Sequence, residues 1–292
     1  MSVDRGRTWG TPAPFAGAAG FNLVDGAVFG SGTSMVVIGT RLETPEVQTS
    51  SDAGQTWATT LTLSRVVSRH GLQVVVDPMG GPKGWLCSGG GFSERGVLLE
   101  TTSGGKSWIA RSVLRGGICS TLAVQPGGTG TLLMWARSRA GWDRLFRSRD
   151  GGHAWRPATV PSGLFQADLS PFDFRAPSPL IAFDPTAPKV AVTAVAGRYG
   201  QCQFWRSPDA GAHWTVAKLA LTSASVVFAP TYGFVPPRDT PSRAPVLMFS
   251  TTGVSRLSRI FRVNRLVSRD HGRTWYGSSS PLTLITGAQL DS

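Results

Sequence analysis

Two carboxylates, Asp168 and Asp173, stand with Arg175 among Phe165, Phe172 and Phe174 in the stretch Thr159 to Pro179. An acid pair in an aromatic-lined loop suits glycoside hydrolysis, which needs a proton donor and a second carboxylate roughly 5 to 10 Å apart. A long surface loop with solvated aspartates is the plainer reading, and it is preferred. Metal and nucleophile chemistry find less support. His70 stands alone, and His153, His213 and His271 fall inside a repeated turn. The chain has no HExxH and no Ser-His-Asp arrangement. Ser88-Gly89-Gly90-Gly91 reads as a loop between strands and not as a phosphate cradle. Cys87, Cys119 and Cys202 lack CxxC spacing, so a zinc site is not expected and at most one disulfide can form. They read as small buried hydrophobes. Neither a metal nor a cofactor is expected.

The charge balance invites another partner class. The chain has 29 Lys+Arg against 17 Asp+Glu, a formal charge of +12. Lysine occurs only at Lys83, Lys106, Lys189 and Lys218, a skew that reads as the codon bias of a GC-rich genome. The densest cluster, Arg256, Arg259, Arg262, Arg265, Arg269 and Arg273, has no stacking aromatics interleaved, so nucleic acid is not the favoured partner. No apolar run reaches the roughly 18 residues of a membrane span. No basic segment followed by an apolar stretch marks a leader.

The elements that must position any site are set by an octapeptide. Ser268 to Trp275 reads S-R-D-H-G-R-T-W, and related copies end at Trp9, Trp57, Trp108, Trp155 and Trp214. Their third residues are Asp4, Asp52, Ser103, Asp150, Asp209 and Asp270, so the steps are 48, 51, 47, 59 and 61. The fifth residues include Gly54, Gly105, Gly152, Gly211 and Gly272. Such a period suits one four-stranded antiparallel unit. The aspartate accepts backbone N–H groups of the turn, the glycine takes positive φ, and the tryptophan packs on the strands. These residues are structural. A second punctuation, Val74 to Pro78 and Ile181 to Pro185, with weaker forms Leu122 to Pro126 and Val226 to Pro230, ends the first strand of each unit.

The expected fold is therefore all-β, a β-propeller of four-stranded antiparallel blades forming one domain over 1–292. Five complete blades end near residues 62, 113, 160, 219 and 280. Residues 2 to 15 add an octapeptide and an outer strand, and Leu282 to Ser292 add one inner strand. A parent ring of six or seven blades, with the chain starting late in it, is the expectation. Octapeptide and Asp-Pro turns share one face. The other face carries the second-to-third-strand loops, among them Arg41 to Glu46 and Thr251 to Arg259, and the blade linkers. On it fall the ligand-binding candidates Arg41, Glu43, Glu94, Arg95, Arg137, Arg175 and Arg198.

The octapeptides resemble the Asp-boxes, or bacterial neuraminidase repeats, of sialidase-type β-propellers. Similar propellers occur in sortilin-type receptors, xyloglucanases and photosystem II assembly factors. The resemblance implies a fold with function in its loops. For a sialidase it implies an arginine triad, a tyrosine nucleophile activated by a glutamate, an aspartate acid/base and an early Arg-Ile-Pro motif. This sequence has no Arg-Ile-Pro, and its tyrosines are Tyr199, Tyr232 and Tyr276. Tyr199, beside Arg198, is the one to test. The expectation is a non-catalytic monomeric propeller that recognises a glycan or a protein, with a glycoside hydrolase as the alternative. The resemblance favours an extracellular or cell-surface setting.

Overall fold

The computed structural model describes residues 20–30, 32–63, 72–88, 96–114, 117–138, 143–160, 180–196, 202–220, 230–235, 246–254 and 261–278. Each apolar run between turns is a strand. The first sheet is β1 (Phe21–Phe29), β2 (Ser34–Arg41), β3 (Thr44–Ser50) and β4 (Ala58–Thr62). The second is β5 (Gln73–Val76), β6 (Gly84–Ser88), β7 (Gly96–Thr101) and β8 (Ile109–Leu114). The third is β9 (Gly117–Val124), β10 (Leu132–Ser138), β11 (Asp143–Ser148) and β12 (Arg156–Pro157). The fourth is β13 (Leu180–Asp184), β14 (Ala187–Ala196), β15 (Cys202–Ser207) and β16 (Thr215–Val216). These four are antiparallel meanders in sequence order, as one blade requires.

The fifth sheet has an extra member. It joins β17 (Lys218–Ala220), β18 (Pro230–Val235), β19 (Val246–Val254), β20 (Phe261–Ser268) and β21 (Thr274–Ser278) in the order β17-β21-β20-β19-β18. β17 pairs in parallel with β21, matching Lys218 with Thr274. Lys218 to Ala220 thus belong to the fifth sheet and do not close the fourth. Pro230, expected in a turn, opens β18 instead. A proline fits the first position of an edge strand because no ladder N–H is required there.

Within each compact unit, consecutive sheets pack on one another. Phe29, Ile38 and Val47 of the first sheet bury against Val74, Leu86 and Leu99 of the second. Trp85 and Leu98 of the second bury with Leu122, Leu132 and Met134 of the third. In the fourth and fifth sheets, Phe204 stacks on Trp275 with ring centroids 4.9 Å apart. Three octapeptide tryptophans, Trp108, Trp155 and Trp275, join such seams. Each buried side chain of this size contributes roughly 1.5–3 kcal/mol, so no sheet is stable without its neighbour. The chain forms two compact units, dividing between Ala158 and Thr159.

The cysteines depart from expectation. Cys87 of β6 and Cys119 of β9 form a disulfide across the second-to-third seam. Their sequence spacing gave no signal, because only the packing of the two sheets brings them together. The side chain of Cys202 lies outside the described residues.

Candidate ligand-binding face

The octapeptides first. In each described copy the fourth and fifth residues both take positive φ, for example Ala53 at 58° and Gly54 at 84°. This tandem turn points the amides inward. Ser50 Oγ donates to Asp52 Oδ1 at 2.7 Å and accepts from Gly54 N at 2.8 Å. Asp52 also accepts from Thr56 N at 2.8 Å and from its hydroxyl at 2.6 Å. The Thr56 hydroxyl and amide lead in holding Asp52 at about 2, below the usual 3.8. Burial pushes Asp209 up, but bonds from the His213 amide and ring and from Ser207 outweigh it and leave it at about 2. Hydrogen bonds from Ala154 N and Ser148 Oγ lower Asp150. Burial opposes the lowering of Asp270, which the Thr274 amide and Ser268 hydroxyl carry. Where the aspartate is missing, Ser103 Oγ still accepts from Ser107 N at 2.9 Å. Trp57 and Trp214 close the turn by donating to Gly54 O and Gly211 O. Asp4 and Trp9 lie outside the described residues.

In each of these aspartates at least one carboxylate oxygen accepts hydrogen bonds from its own turn. The strand-ending aspartates are engaged too. Asp184, fully buried, accepts from Thr186 and meets His271 Nδ1 of the fifth sheet at 2.7 Å. Asp77 accepts from Met79 N and from Gly127 N of the third sheet. Sequence reasoning recognised these as turns and missed that they join neighbouring sheets.

Because strands alternate, the second-to-third-strand connections lie at the end away from the octapeptides. One is fully described. Instead of a loop from Arg41 to Glu46, a two-residue hairpin, Leu42-Glu43, links β2 to β3, and Pro45 and Glu46 continue the strand. Leu42 and Glu43 have φ of 46° and 67°, and Leu42 is 79% exposed. Glycine or asparagine would take this turn without strain, whereas a leucine there costs about 1 kcal/mol.

Beneath the tip, Arg41 Nε donates to Glu46 Oε2 at 3.0 Å. The guanidinium lies 5.9 Å from the centre of the Phe21 ring on β1. Gly39 makes the ring's place, since a Cβ there would come within 2.6 Å of Phe21 Cζ. Of the sequence candidates, Arg41 pairs with Glu46 and Glu43 sits in the hairpin turn, and Phe21, Gly39 and Glu46 are additions. A paired donor and acceptor beside an aromatic ring can read adjacent hydroxyls and a ring face. The pair carries no net charge.

Of the remaining candidates, Arg137 sits on β10 in register with Asp143, with both side chains outside the described residues. Glu94, Arg95, Asp168, Asp173, Arg175, Arg198 and Tyr199 also lie outside them. Thr251, expected in a loop, continues β19 as far as Val254. Asp25 on β1 is described: burial raises it, while its carboxylate accepts from Gly26 N and Val74 N at 2.8 Å. Both contacts are backbone, so it acts as a joint between β1 and β5. No group of three or more metal-ligating side chains occurs among the described residues. No described helix is long and apolar enough to cross a membrane.

No family model matches the chain, and no curated protein matches it. Solved structures do. A GH74 enzyme from Niastella koreensis aligns over 89% of this chain and 38% of its own, at 15% identity and TM-score 0.59. A GH74 xyloglucanase from Xanthomonas campestris aligns over 88% and 39%, at 16% identity and TM-score 0.52. The chain therefore spans about two fifths of the length of these two proteins. An α-L-arabinanase from Penicillium chrysogenum, complexed with arabinobiose, aligns over 92% and 84%, at 11% identity and TM-score 0.53. Together with the four-stranded antiparallel sheets, this likeness establishes that the chain has the β-propeller fold.

Proposed function

We propose that this propeller binds a glycan, without cleaving it, on the face opposite the octapeptide turns. The observation that carries the reading is the Arg41–Glu46 pair held at 3.0 Å beside Phe21, under the exposed Leu42. A charge-neutral donor and acceptor suits the hydroxyls of a neutral sugar, and an apolar tip suits its C–H face. The solved relatives named as a xyloglucanase and as an arabinanase with arabinobiose support a glycan over a protein ligand. The octapeptides, read as Asp-boxes, serve as blade turns in this scheme. The Cys87–Cys119 bridge supports an oxidising, extracytoplasmic setting.

Calorimetry with xyloglucan, arabinan and sialoside oligosaccharides tests this, together with reducing-end and fluorogenic turnover assays. The expected result is binding without turnover, weakened about tenfold by Arg41→Gln. Turnover abolished by Asp168→Asn or Tyr199→Phe would replace the binding reading with the glycoside hydrolase one. Binding of none of the glycans would refute it.

A further inference from the structure

We propose that Glu46 sets the specificity of the hairpin site, admitting neutral sugars through their hydroxyls and turning away carboxylated or sulfated ones. This role rests on the glycan-binding reading above and names which glycans the site takes. Glu46 stands on β3 directly opposite Gly39 of β2 and Thr62 of β4. On β1, Leu23 lies opposite Gly39, and Phe21 lies opposite Arg41. Opposed residues, and residues two apart along a strand, project from the same face of a sheet. Phe21, Leu23, Arg41, Glu46 and Thr62 therefore share one face, with Gly39 adding no side chain between them. Leu23 is 55% exposed, which gives the Phe21 ring an apolar edge that a sugar can reach.

The Glu46 side chain is 14% exposed, and its Oε2 accepts from Arg41 Nε at 3.0 Å. Its other oxygen, Oε1, accepts no hydrogen bond from a described residue. A carboxylate this enclosed and only half engaged favours a ligand that brings a donor. A sugar hydroxyl donates to Oε1. A sugar carboxylate or sulfate is acceptor-only, so it has no hydrogen to give and adds a second negative charge.

The same ladder position in the other sheets holds Val97, Arg144, Gln203 and Asn264, opposite Ser88, Ala136, Val195 and Thr251. The acid is thus particular to the first sheet, and the repeat does not demand it. The whole chain carries a formal charge of +12, which draws acidic polymers from a distance. Selection against them has to be local, and a negative group within the site supplies it.

The test is calorimetry of the full chain with neutral xyloglucan and arabinan oligosaccharides, and with oligogalacturonate and dextran sulfate as the acidic set. In about 0.15 M salt, charges farther than about 8 Å from the ligand are largely screened. The chain is expected to bind a neutral glycan about tenfold or more above either acidic one. Glu46→Gln exchanges an acceptor for an N–H donor and removes the negative charge. It should weaken neutral binding and strengthen acidic binding, each by about tenfold. Glu46→Asp keeps the charge and should keep the rejection, while Arg41→Gln should weaken neutral binding with no acidic gain. An unchanged neutral-to-acidic ratio in Glu46→Gln would overturn the role of Glu46 and leave the glycan-binding reading standing. So would acidic glycans admitted by Glu46→Asp, a result that decides the matter even where Glu46→Gln does not fold. A native chain that binds acidic and neutral glycans equally would also overturn it, and binding of none would remove both.

Discussion

The outer strands of the first two sheets and those of the next two begin alike and end differently. All four follow the same octapeptide, and all keep step with the third strand for two residues. The third residue after the tryptophan is where they part. In the first sheet it is Thr60, bulged out of the ladder, and its hydroxyl meets Thr49 Oγ1 at 2.9 Å. In the second it is Arg111, bulged likewise and bonded to Glu100. Both strands then return to their own sheets, as far as Thr62 and Leu114. In the third and fourth sheets the residue is Ala158 or Ala217, which offers only its amide, to Leu145 O and Phe204 O at 2.8 Å. Beyond them the chain crosses over. Thr159 bridges His213 in parallel, and Lys218 N donates to Arg273 O at 2.8 Å at the start of β17. One side chain able to bond inward keeps a strand at home, and an alanine releases it to the next turn.

The largest expected effect tests how firmly the first of these regions is held. Replacing Cys87 and Cys119 by alanine opens a bridge spanning 32 residues and should cost about 3–4 kcal/mol. Hydrogen exchange should show the protection of β6 and β9 falling well before that of β14 and β15. Equal losses in both would mean that the bridge does not set the difference.

Next, Glu100→Gln leaves Lys83 and Arg111 partly buried without their counter-ion. Those partners are 33% and 24% exposed, so solvent screening limits the cost to about 2 kcal/mol in urea denaturation. Exchange should quicken at Ser112 to Leu114. Thr60→Ala removes one hydroxyl bond and should cost about 1 kcal/mol, loosening Leu61 to Leu63 in the same assay. If those amides keep their protection, the bulged side chain is not what keeps the strand in place.

The smallest effect concerns acid. Asp52 and Asp209 sit at about 2 in the folded chain, below the usual 3.8. A lowered carboxylate contributes stability above its unfolded value and loses it as pH falls through the folded one. Tm should therefore decline from about pH 4 towards pH 2. The octapeptide of the second sheet, with Ser103 in place of the aspartate, adds nothing to that decline. Ser103→Asp should raise Tm by about 1–2 °C at neutral pH, and the gain should vanish near pH 2.

The sequence made the sheets legible and the joints between them obscure. An octapeptide at nearly constant spacing marks each third-to-fourth-strand turn, so strand order follows by counting. Asp184 and His271 lie 87 residues apart, and nothing in either neighbourhood announces the other. The Leu42-Glu43 hairpin was unreadable for a different reason. It has none of the glycine or asparagine that signals such a turn, so a longer loop was expected. β17 escaped notice because Lys218 to Ala220 continue the fourth strand in sequence while pairing elsewhere in space. Arg41 and Glu43 were legible as members of a face. Glu46 was legible as the end of the same loop, whereas Phe21 and Gly39 were not, because their role depends on β1 lying beside β2.

One joint is the same from sheet to sheet. Asp25 on β1 receives Val74 N of β5, and Gln73 on β5 receives Leu122 N of β9, each across 49 residues. An innermost strand thus carries both a socket for its successor and a plug for its predecessor. A gene copying one such unit in frame would insert a blade that already fits on both sides. Chains of this kind can grow by duplication before any new contact has been selected.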